Sequence, residues 1–449
     1  MIRVDSLQIC RKFSNPSARS LEAVVFALLA VLLPLAGHAD PLSSPPAGSW
    51  AAFPNSTLRP AMGSPPWNPL YIFDYSGGWF DDERLELGIW GGGADYPGNE
   101  VCTFPLSTGV WRCGPRSAVA QNPAYAQNPT TETTPDGHPT ARHTYSCIAR
   151  VNAPGYDGFF CHGGSLWRLG SPTAATWFYH RDTATWERLA DRPNWGRTDS
   201  GKASLATYAV FDKARNQILV RAQDMCLIFD MRTKAWEWGA ACDNIQKSAS
   251  AAFDPERRTF IVMGAGTFDA WDTSTTAWTP LAPVLSGDLA PVAAWGPGLV
   301  FDPVGKRYLA YIGGKDVYEL NRDTWKFTKI TGAGADPGAQ YPAGTFGRFR
   351  YVPSTNGLVV INSIDGSVFY YQLGGTPPPP PSPPSMPVSP LPPAPLPLLS
   401  PLSVPVSPLS PAPLPSSSVS TMTITVGVPA CALETPPCLK IDLKQVVMP

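Results

Sequence analysis

The sequence of 449 residues contains no run of basic residues, and its 34 lysines and arginines are balanced by 35 acidic residues. Without a basic patch the chain has no electrostatic footprint for nucleic acid, so we exclude nucleic-acid-binding proteins. It also lacks a C-x-x-C motif, which argues against a metal site built from cysteines. Long apolar runs are missing too, and the one candidate, residues 23–35, is too short to span a bilayer comfortably.

That short apolar run has the features of a secretory signal peptide. Arg3, Arg11, Lys12 and Arg19 form a basic region before it, and small residues precede Asp40. We therefore predict a signal peptide over residues 1–39, with an uncleaved anchor as the alternative. The mature protein is expected to be secreted, periplasmic or at the cell surface, with no membrane insertion after cleavage.

A repeated pattern of about 25 residues organises the rest of the chain. Its clearest copies are residues 211–236, 253–278 and 301–325, and each begins with Phe-Asp and ends with Trp. Between them lie short runs rich in valine, isoleucine and aromatic residues, which are typical of strands, separated by Asp-Pro and Asp-Thr turns. Each copy therefore predicts a four-stranded antiparallel meander, strands a to d, with the aspartates accepting backbone hydrogen bonds in the turns.

Such sheets bury both faces only when copies stack around an axis, as in a β-propeller. Glycine pairs follow strand b in three copies, and Arg221-Ala222 and Asn362-Ser363 replace them in two others. The glycine pairs are Gly92-Gly93, Gly163-Gly164 and Gly313-Gly314, with a degenerate Gly264-Ala265-Gly266. Together with the later aromatic and Trp positions, they resemble the kelch repeats of the galactose oxidase/kelch propeller superfamily. The resemblance implies the fold and no single activity.

The predicted fold is all-β: a six-bladed kelch-like β-propeller over residues 40–375. Strands a to c of the last blade have no following Trp unit, and Trp50 near the N-terminus has no strands before it. The N-terminal strand is therefore expected to close that last blade as strand d. Strand a is predicted at residues 70–74 in blade 1 and 144–149 in blade 2, and a polar insert covers residues 116–140. A Pro-rich linker, 376–418, and a short tail, 419–449, follow, and both are expected to be disordered.

Eight cysteines remain after the signal peptide, and they fall in pairs around predicted turns. Residues equidistant from a hairpin turn face each other across the ladder, within disulfide range. We predict the disulfides Cys102–Cys113, Cys147–Cys161, Cys226–Cys242 and Cys431–Cys438. Buried free thiols are the alternative. An even number, symmetric placement and a signal peptide together indicate an oxidising compartment.

Propeller ligands usually bind where the d–a loops, which join one blade to the next, and the b–c loops meet the central channel. Polar residues that several blades place there are candidates for binding an acidic or hydroxylated ligand. These candidates are Asp95, Tyr96, Asn99, Glu100, Arg142, His143 and Arg348. The alternative is a structural network of solvated loop residues, in which Asp95 or Glu100 neutralises Arg142 and Arg348.

His138, His143 and His162 are weak metal candidates on the same face, because their spacing matches no strong motif. No histidine follows His180, so a late-chain ligand for a copper radical site like that of galactose oxidase is missing. We expect no cofactor and no catalytic residues. The sequence predicts an extracellular recognition module for a glycan or protein. A copper radical oxidase, a glycosidase and a structural cell-surface protein are the alternatives.

Overall fold

The computed structural model describes residues 45–64, 68–92, 96–117, 132–166, 171–193, 205–222, 225–242 and 248–375. These residues lie within one compact unit that ends at Ser382. The signal peptide, the Pro-rich linker, the tail and the Cys431–Cys438 pair fall outside the described residues.

The described chain forms a six-bladed β-propeller. Blade 1 comprises β2 Gly78–Asp81, β3 Glu86–Ile89, β4 Cys102–Pro105 and β5 Arg112–Cys113. Blade 2 comprises β7 Ala149–Ala153, β8 Tyr156–His162, β11 Thr176–His180 and β12 Thr185–Leu189. Blade 3 comprises β13 Thr207–Asp212, β14 Gln217–Ala222, β15 Met225–Asp230 and β16 Ala235–Ala241. Blade 4 comprises β17 Ser250–Asp254, β18 Thr259–Gly264, β19 Thr267–Asp272 and β20 Thr279–Leu281.

Blade 5 comprises β22 Gly298–Asp302, β23 Arg307–Tyr311, β24 Asp316–Asn321 and β25 Lys326–Thr331. Blade 6 comprises β27 Phe349–Val352, β28 Gly357–Ile361, β29 Val368–Gln372 and, from the N-terminus, β1 Ser49–Ala52. Strands a of successive blades contact one another around the whole circle, and β27 contacts β2. The ring is therefore closed.

The N-terminal strand closes blade 6 as predicted. Strand β1 pairs antiparallel with β29, with Trp50 opposite Tyr371. Trp50 is almost fully buried, its indole Nε1 donates to the Lys315 carbonyl at 2.9 Å, and its ring lies 5.7 Å from that of Tyr311 in blade 5. This strand covers what would otherwise be the open edge of β29.

Smaller elements lie outside the meanders. Strands β21 Ser286–Gly287 and β26 Ala333–Gly334 add parallel to the outer strands β25 and β1, and a three-stranded sheet joins β6 Arg142–His143, β9 Ser165–Leu166 and β10 Ser171–Pro172. The helices are α1 Arg59–Met62 and α2 Ala290–Ala293, with 3-10 turns at Pro69–Phe73, Phe346–Arg348 and Pro353–Thr355. None of the described helices is long and apolar enough to cross a membrane.

Both faces of each blade are buried, which explains the short continuous apolar runs. In β18, Phe260 and Val262 pack in the core shared with blade 3, whereas Ile261 and Met263 pack in the core shared with blade 5. Because side chains alternate along a strand, one run of four apolar residues supplies two interfaces. The hydrophobic core is therefore divided into layers between neighbouring blades.

The Phe-Asp pair of the repeat ends strand a and fixes the following turn. Asp254 Oδ1 accepts hydrogen bonds from the backbone N–H groups of Glu256 and Arg257 at 3.0 and 3.2 Å, and Asp81 and Asp302 do the same in their blades. The second oxygen often binds an arginine of the next blade. These inter-blade pairs are Asp81–Arg150 at 2.9 Å, Asp212–Arg258 at 2.5 Å and Asp254–Arg322 at 2.8 Å.

Two predicted strands are wrong. Residues 70–74 form most of a 3-10 turn, capped by Asn68, and strand a of blade 1 is β2 instead. Gly78 does not break β2. Glycine is needed there because the backbone of the neighbouring strand approaches closely, and a Cβ would lie 2.4 Å from the Gly88 carbonyl oxygen. In blade 2, strand a begins only at Ala149, because a turn precedes it, in which the Cys147 N–H donates to the Thr144 carbonyl at 2.8 Å and Tyr145 has a φ of 45°.

Three of the predicted disulfides are present: Cys102–Cys113, Cys147–Cys161 and Cys226–Cys242. Cys102 and Cys113 are direct partners across the ladder, as the turn symmetry predicts. Cys226 instead pairs in the ladder with Ala240, two residues before Cys242, and a bulge follows Cys226. In blade 3, equal distance from the turn therefore predicts the correct disulfide partners but not the correct pairing of residues across the ladder.

Candidate functional site

The structure places the predicted arginines in two separate, closed environments. Arg348 is fully buried, donates to the Phe73 carbonyl at 3.2 Å, and lies 4.3 Å over the Phe73 ring. Arg142 is equally buried and donates to the carbonyls of Thr140 and Gly163 at 3.1 and 3.3 Å. Burial lowers the pKa of Arg348 to about 9 and that of Arg142 to about 10. Backbone carbonyls accept their hydrogen bonds, and the carboxylate within ion-pair distance of Arg142 is that of Glu132, at 3.9 Å, rather than that of Glu100.

The other described candidates form a buried network near Arg142. Tyr96 donates its hydroxyl to Glu100, whose Oε1 also accepts from Arg116 at 2.8 Å. Asn99 donates to the Pro139 carbonyl and accepts from the Ser117 N–H at 2.9 Å. Burial, and then the charge of Glu100, raise the pKa of Tyr96 well above its ordinary value. Asp95 lies outside the described residues, and ligand binding at these positions stays a prediction.

The predicted histidines are not brought together as a metal centre among the described residues, which contain no cluster of three potential ligands. His162 is fully buried, with Nδ1 2.9 Å from the Thr176 hydroxyl and its ring 4.7 Å from that of Trp236. Burial, and then the charges of nearby arginines, lower its pKa well below the usual value. His143 packs against Tyr75 at 4.8 Å, and His138 is half-buried.

Aromatic residues close the central channel at the d–a end. The Tyr145 N–H donates to the Tyr75 carbonyl of blade 1, and its ring lies 5.8 Å from that of Phe346 before blade 6. Ser146 accepts from the Ala209 N–H of blade 3 and the Ala251 N–H of blade 4. Tyr145 and Ser146 therefore contact segments of blades 1, 3, 4 and 6, on different sides of the ring, and cross the channel at this end. We call Tyr75, Tyr145, Ser146 and Phe346 the plug.

The opposite end of the channel is open. All six blades line a cavity of about 640 Å³ there, at the end where strands a enter the a–b turns. We call this cavity the funnel. Its volume lies within the ~300–1,000 Å³ typical of small-molecule sites. The funnel is therefore on the face opposite to the one that contains the residues predicted to bind ligand.

The funnel has a collar of aromatic side chains at equivalent positions of five blades. They come from the residue before the turn aspartate, or its counterpart in blade 6: Phe80, Phe211, Phe253, Phe301 and Tyr351. Phe211, Phe253 and Phe301 are only partly buried. The Tyr351 hydroxyl donates to Asn356 Oδ1 at 2.9 Å, which fixes that ring. The collar gives the funnel an apolar wall, in which the guanidinium group of Arg258 lies 4.9 Å over the Phe253 ring.

Four charged side chains also line the funnel: Asp82, Arg150, Lys213 and Arg350. Arg350 lies near the start of β27 and therefore deep in the funnel. Asp82 and Lys213 follow β2 and β13, in the a–b turns that form the rim of the funnel. Asp82 is open to solvent, yet the protein atoms crowded around its carboxylate, and then the charge of Asp81, raise its pKa to about 6. Burial lowers the pKa of Arg350 to about 10.

Sequence reasoning missed the funnel although its marker was visible. The repeated Phe-Asp pair predicts the blades, and by itself it indicates only that its phenylalanines are strand residues. Their shared position at the end of strand a, the innermost strand, could have predicted a ring around the axis. What the sequence could not show is which end the plug closes, because that depends on the backbone path of Tyr145 and Ser146.

No protein-family model matches this chain, and no curated protein is significantly similar to it. The assignment of a function therefore rests on the funnel and the plug alone.

Proposed function

We propose that this protein is an extracellular recognition module that binds a glycan in the funnel. The observation that carries the proposal is the collar: several equivalent, partly buried aromatic rings line one open cavity whose other end is plugged. Aromatic faces pack against the apolar faces of sugar rings, and the surrounding polar groups orient the ligand. A folded ring of blades supplies the rigid scaffold.

The extracellular part of the proposal is supported by three disulfides, which persist mainly in oxidising compartments. Kinship with kelch propellers is supported by the glycine pairs Gly163-Gly164 and Gly313-Gly314. All four residues have positive φ, between 69° and 101°, which L-residues with side chains adopt at a cost. The pairs therefore belong to a backbone geometry that glycine favours.

The proposal is tested by substituting collar residues one at a time and measuring binding on a glycan array. Phe253→Ala and Phe301→Ala should each abolish or strongly weaken the array signal, because each removes a ring from the funnel wall. Trp295→Ala is the matched control, since Trp295 is an exposed aromatic residue, 40% accessible, that does not line the funnel. Unchanged binding by both collar variants, with wild-type folding, would refute the proposed site.

A further inference from the structure

The charges in the funnel are not balanced. Three cationic side chains and one carboxylate line it. Arg150 is neutralised by Asp81 at 2.9 Å and Asp157 at 2.5 Å. Among the described residues, no ion pair joins Lys213 or Arg350 to a carboxylate, and the charge of Asp82 acts on both only from a longer distance. Two cations therefore face one carboxylate whose proton is retained up to a higher pH than usual.

Arg350 is built into the deep end of the funnel. Its Nε donates to the Gly347 carbonyl at 2.8 Å, and its Nη2 donates to the carbonyls of Gly78 in blade 1 and of Ile148 just before blade 2. These bonds fix the direction of the guanidinium group without neutralising its charge. A pre-oriented arginine in a concave, poorly hydrated site favours an anion, and Nη1 is the nitrogen of Arg350 that these bonds leave to contact one.

We propose that the ligand of the funnel is an acidic saccharide. Its carboxylate or sulfate binds Arg350 at the base, Lys213 adds attraction at the rim, and a sugar ring packs against the collar. This inference rests on the proposed recognition function and specifies its ligand class. Recognition through apolar rings alone would not require the two cations, Lys213 and Arg350, which the single carboxylate of Asp82 leaves in excess.

The experiment is calorimetric titration of the mature protein with trigalacturonate, its fully methyl-esterified form and a sulfated oligosaccharide. The acid should bind at least about tenfold more tightly than the neutral ester, because the ester cannot pair with a guanidinium group. The affinity for the acid should also fall as salt rises. Tighter binding of the sulfated probe would identify sulfate rather than carboxylate as the preferred anion.

Lys213→Gln should weaken binding of the acid by about threefold, the size expected for an exposed charge, without changing binding of the ester. Lys306→Gln is the matched control, because Lys306 also lies in an a–b turn but pairs with Glu256 and does not line the funnel. Arg350→Lys keeps the charge but loses the carbonyl contacts that orient the guanidinium group, and should weaken acid binding by about tenfold.

Three outcomes would overturn the inference: equal affinity for acid and ester, equal effects of Lys213→Gln and Lys306→Gln, or unchanged acid binding in the Arg350→Lys variant. In the first case, sensitivity of both ligands to Phe253→Ala would leave the recognition function standing. The recognition site itself would be refuted if the wild type bound none of the three saccharides and substitutions in the collar left binding to the glycan array unchanged.

Discussion

At the scale of single residues, the aspartates around the a–b turns have two different roles. Asp254 is fully buried, accepts two turn N–H bonds and pairs with Arg322, which is itself nearly buried. Asp82 lies one residue beyond the equivalent Asp81, where it has solvent in the funnel and no arginine within ion-pair distance. Position relative to the turn therefore decides whether the carboxylate stabilises the fold or faces the cavity.

Asp254→Ala should lower the free energy of unfolding by about 3 kcal/mol, because it leaves Arg322 with only the exposed Glu256 as a partner. The matched control is Asp272→Ala in the c–d turn of the same blade, where one N–H bond, from Ser274 at 2.8 Å, is lost. We expect about 1 kcal/mol there. Urea denaturation measures both, and equal losses would contradict the role assigned to the inter-blade ion pair.

Asp82→Asn should change how stability depends on pH. The pKa of Asp82 is about 6 in the folded protein, compared with 3.8 for an ordinary aspartate, the value that applies to the unfolded chain. Between these two pH values the folded protein therefore binds more protons than the unfolded chain does. Stability is therefore lost as the pH rises from about 4 to 6. The variant should melt at a higher temperature than the wild type at pH 7 and at the same temperature below pH 4.

Thermal melts at intervals between pH 3.5 and 8 check this sign. Solvent in the funnel screens the carboxylate, so the difference between the two proteins should be small but consistent above pH 6. Parallel curves over the whole range, or a wild type that is the more stable at pH 7, would contradict a raised pKa.

At the scale of elements, the disulfides fasten individual blades and do not link one blade to another. Cys102–Cys113 joins strands c and d of blade 1, Cys147–Cys161 joins strand b of blade 2 to the segment before its strand a, and Cys226–Cys242 bridges the c–d region of blade 3. Blades 4 to 6 have none among the described residues, so their stability depends on packing and on the turn aspartates.

Removing Cys226–Cys242 with a double alanine substitution should lower the free energy of unfolding by about 3 kcal/mol, because the bond closes a short loop with a sequence separation of 16. Chemical denaturation of the oxidised variant measures this loss. Non-reducing peptide mapping of the wild type should recover all three described pairs unmixed. Any bond between different pairs would show that the strand order within the blades is wrong.

The elements also show which parts of this fold the sequence could predict. The Phe-Asp to Trp repeats located blades 3 to 5, and apolar residues at 358–361 and 368–371 located the last blade, because local turn chemistry and strand alternation fix both. Strand a of blade 1 could not be placed the same way. Gly78 looks like a breaker in the sequence, and only the approach of the Gly88 carbonyl explains why a strand needs glycine there.

The surroundings of the predicted site residues were harder to predict for a related reason. Arg142 and Arg348 are polar residues near strand ends, and nothing local to them reveals that carbonyls of distant loops enclose both. The same sequence signature fits a solvated arginine. The plug likewise depends on contacts of Ser146 with strands more than 60 residues later in the chain, so sequence alone could not decide which end of the channel is closed.

At the scale of the whole molecule, the ring is closed by a strand from the opposite end of the domain, so the fold depends on its N-terminal segment. Deleting residues 40–58 removes Trp50 from the core it shares with Tyr311 and Tyr371 and exposes the edge of β29. Because an exposed strand edge pairs readily with other chains, the deletion variant should aggregate or fail to fold. Size-exclusion chromatography and circular dichroism measure the outcome.

Two controls separate loss of closure from loss of mass. Deleting residues 376–449, which lie beyond the propeller strands, should leave a monomer with wild-type melting temperature, since β29 and its partners remain. Trp50→Ala keeps the strand but removes its largest buried side chain, and should lower the free energy of unfolding by about 4 kcal/mol. Because the edge of β29 stays covered, this variant should melt at a lower temperature and should not aggregate while it is folded. A deletion variant lacking residues 40–58 that is folded and monomeric would contradict closure by the N-terminal strand. Five complete blades and the three remaining strands of blade 6 would then be enough to form a stable ring.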